Sequence, residues 1–409
     1  MKFNEAVKEL NEHDQEHVLK YYKNLSEKEK ERLLNQIEEL DYDMLSLIKH
    51  KSKDTEIGKI MPIKTLSLED INKNKDKFFN EGEKALKEGK VACVLLAGGM
   101  GTRLGLDKPK GELNIGLTKE IFLFEKLIEN LTKVKEETKS KSIQLYIMTS
   151  EKNNDETKSF FKVHNYFGYP EEDIEFFEQD MAPSVDFTGK LLMEDKGLLS
   201  MSPNGNGGWF SSMKKSGIVK KLKNNHIEWI NIFSVDNPLQ KMADPIFIGA
   251  AILKNADSAS KVVKKAYPEE KMGVMCLENN CPSVIEYYEM SDDMINKRDD
   301  KGDLLYGYGV ILNYIFRLDK LEEIDSKKLP HHIVEKKIPY INETGEYIKP
   351  KEPNGYKFEA LVVDMIRNFD NCLPFEVIRE KEFAPIKNLK GKDSLDSSRE
   401  LLIKNGVKL

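Results

Sequence analysis

The apolar run Val91-Ala-Cys-Val-Leu-Leu96 ends abruptly in a turn that carries Gly98, Gly99, Gly101 and Gly105. A run of this length suits a buried strand and is too short for an independent helix. Glycines let the backbone take positive φ and let a ligand approach the main chain closely. Consecutive N–H groups in such a turn can form a concave anion site. Arg103 and Lys110 set two positive side chains near it. A strand, a glycine loop and two cations are the parts needed to hold a polyphosphate. The alternative, a purely structural turn, leaves the two cations without a purpose. Spacing excludes two better-known loops. Gly99-Met-Gly101 is followed by Gly105, one residue too late for a dinucleotide loop, and Lys110 is followed by Gly111, where a P-loop has Ser or Thr.

The rest of the chain changes character at this point. Residues up to about Gly89 read as helices: Leu33, Leu34, Ile37 and Leu40 recur at helical spacing on a charged background. Ser26 with Glu29 forms a capping box. Ser67 with Asp70 forms a weaker one before a helix over 71–86, which Gly89 stops. His13, His17 and His50 fall at surface or helix-end positions and receive no chemistry, and 51–62 reads as a connection between helices. From Val91 onward strands alternate with helices. The strands are expected at 91–96, 143–148, 174–177 and 229–235, and the helices around 121–131, 155–164 and 211–224. Such alternation predicts an α/β fold with a mainly parallel sheet flanked by helices. Ligands then sit at the carboxyl ends of the strands, where residues 97–101 and Asp236 fall.

Charge and cysteine usage narrow the class further. The 409 residues can bury a sizeable core in more than one structural unit. The net charge of −6 argues against a dedicated nucleic-acid binder, which carries a basic face. A local cationic pocket on an acidic protein remains open. There is no apolar run that could span a membrane, and Met-Lys-Phe-Asn-Glu-Ala does not start a signal peptide. Cys93, Cys276, Cys281 and Cys372 are scattered, which fits reduced thiols in the cytoplasm and disfavours a zinc site.

Ala97-Gly-Gly-x-Gly-Thr-Arg-Leu-Gly105, followed by Pro109-Lys-Gly111, resembles the nucleotide-binding signature of the UDP-sugar pyrophosphorylases, closest to the eukaryotic UDP-N-acetylglucosamine type. The resemblance runs from about Val91 to Asn388. It implies a nucleotidyltransferase fold like that of the A-type glycosyltransferases, with a mixed, mainly parallel sheet. It divides the chain into a helical N-terminal region 1–88, a catalytic domain 89–388 and a short tail 389–409. Family members join UTP to a sugar 1-phosphate and release pyrophosphate.

The resemblance also carries roles onto individual positions. It places Leu96, Ala97, Gly98, Gly99, Gly101 and Thr102 on the nucleotide, with Arg103 and Lys110 as catalytic cations. Phe176-Phe-Glu-Gln-Asp-Met-Ala-Pro183 resembles a strand end and loop over the base; the amide of Gln179 offers the donor and acceptor a uracil edge requires. Met201-Ser-Pro-Asn-Gly-Asn-Gly-Gly208 matches a loop between uridine and sugar, giving Met201, Pro203 and Gly205 to the nucleoside and Asn206 to the sugar. Asp236 matches the metal-binding Asp, for Mg²⁺ or Mn²⁺, and Asp364 is a candidate second ligand. Gly273, Glu286 and Tyr287 fall to the sugar, Lys357 to the UTP phosphates and Lys387 to the sugar phosphate. The pair His331-His332 also matches and reads as structural or surface.

Three positions depart from the family pattern. Val310 stands where the family has a sugar-contacting Asn, and Leu361 and Val363 where it has two aromatic residues. All three bear on the sugar rather than on UTP. The reading is therefore a cytoplasmic uridylyltransferase for N-acetylglucosamine 1-phosphate, a monomer or weak homo-oligomer. Glucose, galactose or N-acetylgalactosamine 1-phosphate stay open as substrates, as does a UDP-sugar-binding regulator without catalysis. A nicotinamide oxidoreductase ranks a distant third, because the glycine spacing is wrong for it and no acidic ribose ligand is apparent.

Overall fold

The computed structural model describes residues 1–49, 58–324 and 329–409. His50 and residues 51–57 of the expected connection lie outside them. Packing gathers the chain into two units, each built from segments distant in sequence.

The larger unit spans Ile57–Gln179, Trp209–Lys328 and Val363–Leu409. Its ten-stranded sheet uses β1 (Ile60–Pro62), β2 (Val91–Leu96), β3 (Gln144–Thr149), β4 (Ile174–Glu178) and β5 (Trp229–Ser234). It continues with β6 (Ser258–Lys264), β7 (Val274–Glu278), β8 (Cys281–Ile285), β9 (Tyr308–Arg317) and β10 (Cys372–Glu376). The order along the main path is β1-β7-β9-β5-β2-β3-β4; β6 joins β9 to β10, and β8 pairs with β7. Strands β5, β2, β3 and β4 run parallel, as does the β6–β10 pair. Around β9 and β7 the pairing is antiparallel, so the sheet is mixed, as expected, with its parallel strands in β5-β2-β3-β4 and in the β6–β10 pair. All six residues of β2 are buried, as a strand covered by helices on both faces requires. Registers Ser234↔Leu96 and Leu96↔Met148 bring the carboxyl ends of β5, β2 and β3 into line.

Two helices anticipated as single pieces are broken. The 71–86 helix is Leu68–Lys73 and Lys75–Lys87, interrupted at Asn74, whose side chain donates to the Asp70 carbonyl. That bond offers the backbone an alternative to the helix ladder. The 211–224 helix is Trp209–Lys215 and Ile218–Asn224, divided at Gly217 with φ +77°. Strand β1 falls inside the expected connection; its partner β7 is remote in sequence, so no local pattern marks it.

The smaller unit comprises Met1–Glu56, Asp180–Gly208 and Leu329–Val362. The capping box Ser26–Glu29 forms as expected and opens the helix Glu27–Glu38, which buries Leu33 and Ile37. Those residues pack with Ala6, Leu10, Val185, Leu199 and Phe358 in one apolar cluster. Gln15 bonds Gly189 and Leu191 through its amide, and His17 bonds the Leu191 carbonyl. The grouping thus differs from the expected division at 88/89. Residues 1–49 share a core with two later segments, whereas Leu68–Lys73 and Lys75–Lys87 belong with the large sheet. The helix Leu395–Lys404 is likewise part of the larger unit: Arg399 donates to the carbonyls of Ile115 and Gly116, and Leu402 and Leu409 lie in its core. Among the described residues no helix is long and apolar enough to cross a membrane.

Candidate active site

The turn after β2 folds back on itself. Gly101 N–H donates to the Lys108 carbonyl at 2.8 Å, and Lys110 N–H donates to the Gly99 carbonyl at 3.2 Å. Gly105, at φ +70°, closes the intervening 3₁₀ turn Thr102–Leu104. Two cations seven residues apart in sequence are thereby brought into one hollow. It measures about 290 Å³ and is lined by Gly99 to Leu104, Lys110, Asp236 and Lys387. The space beyond the Gly99 Cα is open, so a ligand can reach the main chain there. The base of the loop is held by Asn153, which is fully buried, donates to the Ala97 carbonyl at 2.9 Å and accepts from Ser150 N–H at 2.8 Å. Gln179, just past β4, packs its side-chain oxygen against Gly98.

Asp236 follows β5 in the same position that Gly98 holds after β2. Its carboxylate accepts from the Ser234 hydroxyl and lies 3.9 Å from Lys110 Nζ. Its carbonyl accepts from Ile386 N–H at 2.9 Å, which brings Lys387 to the hollow. Burial lowers the pKa of Lys110; Asp236 opposes that, and Lys387 and Arg103 reinforce it. Three cations facing one carboxylate leave a surplus of positive charge in a partly desolvated site, which suits a polyanion.

A carboxylate stands ready for a hard cation here. Among the described lining residues Asp236 is the acid, and among all described residues no group of three His, Cys, Asp or Glu could hold a metal. One carboxylate fits Mg²⁺, which keeps several waters and takes substrate phosphate oxygens, better than it fits a metal caged by protein.

The residues of the larger unit that the resemblance assigns to the sugar also converge. A Cβ on Gly273 would meet Val284 Cγ1 at 2.8 Å, Glu286 Oε1 at 3.2 Å and Val310 Cγ2 at 3.5 Å. Val310 N–H donates to the Gly273 carbonyl at 2.9 Å. Tyr287 is exposed beside Glu286, with Lys271 Nζ 5.8 Å from its ring centre. Asp364 and Glu286 both act on Tyr288 and Tyr314, so Asp364 lies in the same neighbourhood as Glu286. Val363 and Asp364 sit on the short helix Val362–Met365.

The remaining predicted residues lie in the smaller unit, where they form a second assembly. Met201–Pro203 pairs with Met181–Pro183, and Gly355–Glu359, carrying Lys357, pairs with His332–Lys336. Gly205 has φ +87°, and Gly207 N–H donates to the Ala360 carbonyl at 2.8 Å. A Cβ on Gly207 would stand 2.8 Å from Ala360 and Leu361 backbone atoms. Asn206 accepts from Val362 N–H at 3.0 Å, and Leu361 is half-buried beside it. Two motifs separated by some 150 residues are thus joined backbone to backbone.

Sequence reasoning assigned no role to Asn153, Ser234 or Asn237. Asn237 donates to the Glu382 carbonyl at 2.7 Å and accepts from Ala384 N–H at 2.9 Å. Its one signal was its place directly after Asp236 at a strand end.

A glycine turn, cations and a lone carboxylate on the carboxyl edge of parallel strands define a nucleotide-binding α/β protein built for phosphate chemistry. The chain belongs to the UTP--glucose-1-phosphate uridylyltransferase family, whose model matches residues 12–404. It is 34% identical over 416 residues to UDP-N-acetylhexosamine pyrophosphorylase-like protein 1 of Xenopus tropicalis, a match covering 96% of this chain and 81% of that one. It is 37% identical to the UDP-N-acetylglucosamine pyrophosphorylase of Saccharomyces cerevisiae, over 94% of this chain and 86% of that one. The solved uridine diphosphate N-acetylglucosamine pyrophosphorylase of Trypanosoma brucei superposes with TM-score 0.82 at 28% identity, covering 98% of this chain and 84% of that chain.

Proposed function

We propose that the protein is a uridylyltransferase that makes UDP-N-acetylglucosamine and pyrophosphate from UTP and N-acetylglucosamine 1-phosphate. The observation that carries this reading is the hollow at Gly99, where Arg103, Lys110 and Lys387 face Asp236. The phosphate oxygen of the sugar 1-phosphate attacks the α-phosphorus of UTP in line. The bond from that phosphorus to the bridging oxygen breaks, and the electron pair leaves with pyrophosphate. No protein nucleophile takes part, so catalysis rests on positioning and charge stabilisation.

Open main chain at Gly99, with Gly98, Gly101 and Thr102, receives the triphosphate. Arg103 and Lys110 hold it and offset the charge that grows on the leaving group. Lys387 steadies the sugar phosphate and Lys357 the UTP phosphates. Gln179, Met201, Pro203 and Gly205 serve the nucleoside; Asn206, Gly273, Glu286, Tyr287, Val310, Leu361 and Val363 serve the sugar. Glu286 accepts from sugar hydroxyls, and a sugar that cannot donate leaves it unpaired. Asp236 would hold Mg²⁺ (or Mn²⁺), which would supply further charge neutralisation on the phosphates. The setting proposed is the cytoplasm, in keeping with four free thiols, three of them buried.

Pyrophosphate release is the test, measured from UTP and Mg²⁺ with N-acetylglucosamine, N-acetylgalactosamine, glucose and galactose 1-phosphates side by side. Preference for the N-acetylglucosamine compound is the expected result. Preference for an unsubstituted hexose would transfer the reading to that sugar, through Val310, Leu361 and Val363. Tight UDP-sugar binding with no release from any of them would replace it with a binding regulator.

A further inference from the structure

Lys387 is an exposed side chain on a segment that belongs to no strand or helix, yet the reading above requires it to meet a phosphate. Its backbone is held by hydrogen bonds from neighbouring segments: Ile386 N–H on the Asp236 carbonyl, Lys387 and Asn388 N–H on the Asp393 carbonyl at 2.6 and 3.0 Å, the Ser398 hydroxyl on the Ala384 carbonyl, and the two bonds of Asn237 to residues 382 and 384. Behind that segment lies a buried charge cluster that the chemistry does not use. Lys261 on β6 has no exposed surface. Its ammonium donates to Glu382 at 2.6 Å, to Asp244 at 2.9 Å and to the Lys241 carbonyl at 3.2 Å. Asp244 in turn caps the helix Pro245–Leu253 by accepting from Ile246 N–H. Glu382 is the last residue of the short helix Arg379–Glu382, five positions before Lys387.

We propose that Lys261, Asp244 and Glu382 are positioning residues that set Lys387 for the incoming sugar phosphate, acting through Asn237. The proposal rests on the uridylyltransferase reading for its kinetic part. Buried ion clusters give little net stability compared with apolar packing of the same volume, and removing one member leaves an uncompensated charge. What this one supplies is direction. A single ammonium joins the strand β6, the cap of a core helix and the helix end before Lys387, using all three donors. The Glu382 side chain is fixed by Lys261 while its carbonyl is fixed by Asn237, the residue after Asp236. The proposed metal ligand and the proposed phosphate lysine are therefore referenced to the same rigid point. A lysine on an unsupported loop loses much of its value when displaced by an ångström.

Glu382→Leu is the informative variant, because Lys261 stays paired with Asp244 and no lone buried charge results. Expected results are a rise of roughly ten- to hundredfold in KM over kcat for the sugar 1-phosphate, with KM for UTP changed less than about twofold. Glu382→Gln, which keeps an acceptor oxygen, should restore most of the loss. In a Lys387→Ala background Glu382→Leu should add less than about twofold, because the two act as a unit. Amide hydrogen exchange at residues 384–388 should quicken in Glu382→Leu and not in Glu382→Gln. Unchanged exchange, a full additive loss on top of Lys387→Ala, or equal rises in both KM values would overturn the proposal. If the unaltered protein releases no pyrophosphate, the uridylyltransferase reading falls, and the exchange measurement alone still decides the positioning.

Discussion

Gly273→Ala tests the proposed sugar side of the site with a single methyl. The added Cβ would stand 2.8 Å from Val284 Cγ1, 3.2 Å from Glu286 Oε1 and 3.5 Å from Val310 Cγ2. Comfortable carbon–carbon contact is about 3.5–4.0 Å, so Val284 must retreat by roughly 0.7–1.2 Å. It cannot do so by a cheap rotation, because a β-branched side chain is stiff at χ1 and Val284 is buried in β8 against β7. The strain therefore passes to Glu286, two residues on, whose carboxylate the methyl also crowds. Overpacking of this kind costs about 1–3 kcal/mol. If that cost falls on sugar binding, KM for the sugar 1-phosphate rises by about five- to 150-fold, while KM for UTP stays put. Initial-rate pyrophosphate release with each substrate varied in turn measures both, and a thermal melt records the share taken by stability. Val284→Ala removes the atom in closest contact, so the double variant should regain much of the lost sugar affinity. A Gly273→Ala protein with unaltered KM for the sugar phosphate and unaltered Tm would refute the reasoning, as would an equal rise in both KM values.

Four further outcomes follow from the same geometry. Arg103→Ala should lower kcat by roughly a hundredfold or more, by analogy with the loss of one transition-state donor, as read by pyrophosphate release at saturating substrates. The alkaline limb of kcat/KM should lie below the ordinary lysine value of 10.5, because burial lowers Lys110; Lys387→Ala removes a neighbouring positive charge and should move that limb to higher pH. Burial raises the Glu112 carboxyl to about 7, with Glu156 adding to the rise and Lys108 opposing it, and its Oε1 has no partner. A carboxyl with a folded-state pKa above its unfolded value of 4.5 costs stability progressively as pH rises from there through 7, up to about 3 kcal/mol; Glu112→Gln should thus raise Tm at pH 8 and leave it unchanged at pH 4.5. Chelation of divalent ions should abolish turnover and added Mg²⁺ or Mn²⁺ should restore it, whereas activity that survives chelation would remove the metal from the scheme.

Much of this protein was legible in its chain because the signals are local. An apolar run, a glycine turn and two spaced cations identify strand β2 and the cationic glycine loop after it, since backbone freedom and charge are properties of adjacent residues. The cap at Ser26 and the helix stop at Gly89 are equally local, and both formed as read. The division at residue 88 had no such basis. Residues 1–49 find their apolar partners in Val185, Leu199 and Phe358, and nothing in a helix's own periodicity names the surface it will cover. Strand β1 escaped for the same reason, its pairing being made with residues more than two hundred positions away. At the site, the residue types were readable and their company was not. Asp236 and Lys110 announce themselves, but their 3.9 Å approach depends on the parallel register of β5 on β2. Asn153, Asn237 and the buried Lys261 are unremarkable in sequence; their roles exist only as hydrogen bonds between distant segments. Sequence determined which groups are present and which short stretches turn or extend. Tertiary structure alone decided which groups share a hollow and which buried charges brace it, because those depend on long-range packing that no local pattern encodes.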